Sequence, residues 1–94
     1  MAAAARLSDI CSGHDCFPPR SGASASNNVF INGLRAHKQG DGWQSHCCDT
    51  CHPGTVASGS RKVYINGSAA ARIGDQINCG SLIAQGSNSV FIGG

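Results

Sequence analysis

Apolar positions cluster in three short runs along this chain: "VFI" at 29–31, "VYI" at 63–65 and "VFI" at 90–92. Each run is β-branched or aromatic and is bounded by Gly, Asn or Ser, the pattern of short strands separated by turns. Two runs lead into Asn-Gly, at Asn32-Gly33 and Asn66-Gly67, a pair in which both residues accept positive φ and close a two-residue hairpin. Thirteen glycines, twelve serines and six asparagines, against three leucines and no glutamate, leave no segment able to build an amphipathic helix of useful length. The chain is therefore predicted to be all-β, with short strands, hairpins and tight turns. Its length allows one domain with a modest core, spanning 1–94.

The pattern also recurs. "NNVFINGLRAHKQGD" at 27–41 returns as "RKVYINGSAAARIGD" at 61–75, identical at seven of fifteen positions. A third version of the opening, "SVFIGG", stands at 89–94, and "AAARLSD" at 3–9 aligns with "AAARIGD" at 69–75. A fixed period of this kind sets architecture before any single residue does.

Charge narrows the function classes. The net charge is +2, with Lys and Arg scattered and few aromatics for base stacking, which argues against a nucleic-acid partner. No stretch is long and apolar enough for a transmembrane helix. "MAAAARL" lacks the basic region and long apolar run of a secretory signal, and its match to 69–73 marks it as part of a repeat. The expectation is synthesis in the cytoplasm without a conventional export signal.

Six cysteines and four histidines are dense for a chain of 94 residues. A small β domain with a thin core needs a staple, either disulfides or a metal. Six cysteines allow fifteen pairings, and the lack of a signal peptide puts a disulfide framework at a disadvantage. The repeat register favours a metal: His14 follows Asp9 by five residues, His46 follows Asp41 by five, and Cys79 follows Asp75 by four. Three such donors plus one more complete the tetrahedron that zinc takes in closed sites. His52, in "CHPG", is the candidate fourth donor, and His37 is its competitor. By register His37 aligns with Ala71, where no other copy carries a donor, so it reads as an exposed histidine. Cys48 and Cys51 form a CxxC, a weak signal without a second CxxC at ribbon spacing. It reads as a local disulfide or spare thiols more readily than as part of the metal site. Asp9, Asp41 and Asp75 read as turn formers that bond the backbone.

"AAARIGDQINCG", preceded by "VYING" and followed by "IAQGSNSVFIGG", resembles the PAAR-repeat family, named for its Pro-Ala-Ala-Arg motif. The alternation of "ING", "AAR-GD", a His or Cys and a closing strand recurs in the family's order over essentially the whole chain. Ala3 and Ala69 stand where proline is usual, the middle copy "RAHKQGD" has no arginine in register, and 47–51 carries extra cysteines. The resemblance implies a small cone-shaped domain of three pseudo-threefold repeats, with one structural Zn2+ near the apex. Its implied ligands are His14, His46, His52 and Cys79. It further implies a non-enzymatic tip that caps the trimeric spike of a type VI secretion system, one per trimer. Such a tip sharpens the spike for membrane puncture, links secreted effectors, and leaves the cell on the spike in transient passage through a target membrane. The runs at 29–31, 63–65 and 90–92 are then expected to supply core and flat base, with strand edges free to continue the trimer's sheets.

Catalysis is not expected. A zinc hydrolase keeps one coordination position open beside a general base, whereas here four donors close the site and no glutamate exists. Some members of the family carry fused toxin domains, and the chain's ending after its last strand leaves the expectation of none here. Two alternatives share the residues: a free-standing small zinc- or disulfide-stabilised binding module, and the tip of a phage baseplate spike.

Overall fold

A computed structural model describes residues 2–93, which contain strands and turns and no helix. The strands are β1 (Ala2–Ala3), β2 (Phe30–Ile31), β3 (Leu34–Arg35), β4 (Gly42–Cys48), β5 (Thr50–Thr55), β6 (Tyr64–Ile65), β7 (Ser68–Ala69) and β8 (Phe91–Ile92). They pair antiparallel as β2–β3, β4–β5, β6–β7 and β1–β8. The two Asn-Gly turns behave as their chemistry dictates. Asn32 and Gly33 have φ of 54° and 81°, and Asn66 and Gly67 have 52° and 83°. In the last pair no turn exists: the two ends of the chain meet, Ala2 opposite Ile92 and Ala3 opposite Phe91. The opening segment thus supplies the second strand that the closing "VFI" lacks.

Longer-range hydrogen bonds join the repeated segments into a closed cycle. Ala5 N–H donates to Ala71 O (3.0 Å), Ala71 N–H to His37 O (3.1 Å), and His37 N–H to Ala5 O (3.1 Å). A second cycle runs beside it, from Leu7 N–H to Arg35 O, Gln39 N–H to Ala69 O and Ile73 N–H to Ala3 O. The backbones approach so closely here that small residues are required, and Ala4, Ala5, Ala36, Ala70 and Ala71 are fully buried. On one side of this girdle Ile31, Ile65 and Ile92 pack with Ala4, Ala36 and Ala70. On the other, Trp43, Val56, Ile77 and Ile83 pack with Ala5, Cys11 and Ala71.

The three aspartates do close turns. Asp9, Asp41 and Asp75 accept the backbone N–H of Arg6, Lys38 and Arg72 at 2.8–2.9 Å and pair with the same residues' side chains. Lys38 therefore fills the register position where the middle copy lacks arginine. Ser26, Ser60 and Ser87, all buried, each accept two backbone N–H groups from the start of the following run.

One expectation needs correcting. His37 is not exposed; it is completely buried, its ring 4.9 Å from that of Trp43, with no hydrogen-bond partner for either nitrogen. Its place in the cycle with Ala5 and Ala71 turns the side chain inward whatever its polarity. Gly22 lies so close that a Cβ there would stand 2.8 Å from His37 Cε1. The cysteine-rich segment forms the longest ladder of the described residues, β4 against β5, reversed at Asp49 (φ 67°).

Candidate metal centre

The long hairpin β4–β5 places His46 directly opposite His52. His14 comes from a separate tight turn in which His14 N–H donates to Phe17 O and Phe17 N–H returns to His14 O. Gly13 (φ 73°) and Asp15 (φ 49°) supply the left-handed backbone that this turn needs. Gly13 cannot carry a side chain, since a Cβ would meet Phe17 O at 2.6 Å. Cys79 lies on the turn after Ile77 and packs against the core of Trp43, Val56 and Ile83.

The structure brings the four candidate donors together: one ligand atom from each of His14, His46, His52 and Cys79 lies within 4.8 Å of all the others. His52 Nε2 stands 3.1 Å from His14 Nε2 and 2.6 Å from His46 Nε2. His46 Nδ1 lies 2.8 Å from Pro18 O, and because a carbonyl only accepts, the proton must sit on Nδ1. That leaves His46 Nε2 as a lone pair aimed at its neighbours, the arrangement that orients a metal-binding imidazole. Desolvation, with repulsion from His46, His14 and Arg20, pushes His52 below its usual basicity. Phe17 roofs the group, its ring centroid 4.3–4.9 Å from each of the three imidazoles. His37, the competitor, takes no part.

The donor chemistry fits a metal ion. Around a tetrahedral zinc, nitrogen donors stand roughly 3.3 Å apart and sulfur slightly further. Three imidazoles and a thiol without a carboxylate suit a borderline or soft cation and not calcium or magnesium. The remaining cysteines stay outside the group. Cys16 pairs with Cys48 and Cys47 with Cys51, so the CxxC cysteines are bonded to other partners rather than to each other. Each of the three histidines sits one or two residues from a disulfide.

Three contributors were not legible in the sequence. Phe17 is one. Arg20 is the second, buried with its Nη1 3.0 Å from Cys11 Sγ and its Nη2 3.2 Å from Cys79 Sγ. Cys11 is the third. Burial pushes its thiol up, but hydrogen bonds from Arg20, Gly13 and Ser81 outweigh that and leave it below the ordinary value.

The family model described as "PAAR motif" matches residues 18–85. The chain belongs to the PAAR-motif family. The match contains His46, His52 and Cys79, while His14 lies four residues before it and is joined to them only by the fold. No curated protein matches the chain significantly. PAAR-motif proteins are associated with the spike tips of type VI secretion systems, as structural parts rather than enzymes. No helix of this PAAR-motif chain, among the described residues, is long and apolar enough to cross a membrane.

Proposed function

We propose that this chain is the tip of a contractile secretion spike, one domain over 1–94 that caps the trimeric spike of a type VI secretion system, one copy per trimer. The cyclic backbone bonds through Ala5, His37 and Ala71 carry this reading. One chain that returns three times to the same backbone relationship can offer a threefold partner three similar faces. The three short strand pairs around the girdle also present Phe30, Tyr64 and Phe91, each more than half exposed and each at the same place in its run. Singly exposed aromatics need no explanation, but three in one register would offer a trimeric platform three similar apolar contacts.

In this reading His14, His46, His52 and Cys79 ligate one structural Zn2+. A narrow tip cannot surround its last residues with a core, and structural zinc contributes on the order of 10 kcal/mol to folding. The metal would tie position 14 to position 79 and make the tip stiff enough to enter a membrane. Four protein donors leave no open coordination position, so the tip works by shape and not by chemistry.

The test mixes the purified chain with a recombinant spike trimer from a type VI secretion cluster of the same genome and weighs the complex by native mass spectrometry. One chain per trimer is expected, with one zinc per chain. Three chains per trimer, or no complex with any such trimer, refutes the capping role.

A further inference from the structure

Arg20 is 7 % exposed, and no carboxylate pairs with it among the described residues. The other charged side chains of the turns, Arg6, Lys38 and Arg72, each have an aspartate. A buried guanidinium without a counter-charge is costly. What Arg20 meets instead is sulfur: Nη1 reaches Cys11 Sγ and Nη2 reaches Cys79 Sγ, while Nε donates to Gln44 O at 2.5 Å and the plane lies over Trp43 at 5.7 Å. The planar fork holds its donors in fixed directions toward two sulfurs and a carbonyl, which the single-point ammonium of lysine does not.

We propose that Arg20 is a positioning residue for the sulfur ligand: it supplies the counter-charge to a Cys79 thiolate and aims that sulfur at the three imidazoles. The inference rests on the reading of Cys79 as a metal ligand. Cys11 is the anchor of the fork, since its sulfur also accepts the Arg20 backbone N–H at 3.4 Å and so fixes both ends of the residue. The wall behind the contact is Gly54, where a Cβ would stand 2.5 Å from Arg20 Nη2 and 3.4 Å from Cys79 Sγ. A charge-assisted N–H···S contact draws electron density from the thiolate. The sulfur remains a ligand but becomes a poorer nucleophile, which protects a half-buried thiolate from electrophiles outside the cell.

The test loads the whole chain with Co(II) and compares wild type with Arg20→Lys and Arg20→Met. Removing the donors raises the sulfur lone-pair energy, so the sulfur-to-cobalt charge-transfer band is expected at longer wavelength in both variants, furthest in Arg20→Met. In the zinc-loaded chains, iodoacetamide is expected to alkylate Cys79, located by peptide mass spectrometry, about tenfold faster than in wild type. An unshifted band with unchanged alkylation overturns the inference alone. Absence of any sulfur-to-cobalt band in the wild-type chain overturns Cys79 as a ligand, and the inference with it. A variant that fails to fold leaves the wild-type measurement to decide. With spin-active cadmium bound, the Arg20 guanidinium protons are expected to show scalar coupling to the metal through sulfur, and its absence overturns the proposal.

Discussion

A single methyl group added at Gly54 is expected to disturb the core and the metal centre together, whereas the same addition at Gly42, in the paired strand of the same hairpin, is expected to be nearly silent. At Gly54 the new carbon would lie 2.7 Å from Ile77 Cγ2, besides its clash with Arg20 Nη2 and its contact with Cys79 Sγ. Carbon atoms pack best at about 3.5–4.0 Å, so the shortfall against Ile77 is close to 1 Å. Ile77 is 1 % exposed and held by Trp43, Val56 and Ile83, so it has nowhere to retreat. Overpacking of this kind costs about 1–3 kcal/mol. In a domain of this size that corresponds to a fall in Tm of roughly 5–20 °C. At Gly42 the nearest atoms would be Ser24 Oγ at 3.5 Å and Gly54 O at 4.0 Å, ordinary contacts. Its cost should stay within about 0.5 kcal/mol. The assay is thermal unfolding of Gly54→Ala and Gly42→Ala by circular dichroism, with zinc content measured on the same samples. A Gly54→Ala chain melting with wild type, or a Gly42→Ala chain falling as far as Gly54→Ala, would refute the packing argument.

Substituting any one donor, by His14→Ala, His52→Ala or Cys79→Ser, is expected to remove the bound zinc and lower Tm sharply, read by elemental analysis and calorimetry. His37→Ala is expected to destabilise the fold by about 1–2 kcal/mol through the cavity it leaves, with zinc content unchanged. His37 also gives a pH dependence. Burial pushes its imidazole below the usual basicity, and the carboxylates of Asp41 and Asp9 only partly offset this. The unfolded chain therefore takes up the His37 proton first as pH falls, so the stability tied to neutral His37 is complete above about pH 6.5 and is lost below it. The Tm of His37→Leu should accordingly gain on that of wild type between about pH 7 and about pH 5.5; a constant gap would contradict this. Of the two disulfides, Cys16–Cys48 closes 32 residues and Cys47–Cys51 only 4. The chain-entropy account gives about 3.7 and about 1.9 kcal/mol. The Cys16→Ser/Cys48→Ser double variant should therefore melt below Cys47→Ser/Cys51→Ser in thermal unfolding without reductant.

The sequence by itself determined what depends on neighbours along the chain. The short apolar runs became strands, Asn32-Gly33 and Asn66-Gly67 became hairpin turns, and Asp9, Asp41 and Asp75 closed turns onto residues three positions back. The repeat register also pointed to His14, His46 and Cys79, because a donor four or five residues after each equivalent turn is delivered to a similar place. Tertiary structure decided what depends on distance through space. His37 and His52 cannot be told apart by composition. The backbone cycle through Ala5, His37 and Ala71 turns the first inward, and the β4–β5 ladder sets the second opposite His46. The partners of Cys16, Cys47, Cys48 and Cys51 follow from how the 12–19 segment lies against the hairpin, which no spacing rule encodes. Arg20 shows the limit most clearly. Its sequence neighbours are two prolines and a serine, and its role comes from two sulfurs, nine and fifty-nine residues away, that only the closed fold brings within reach of one guanidinium.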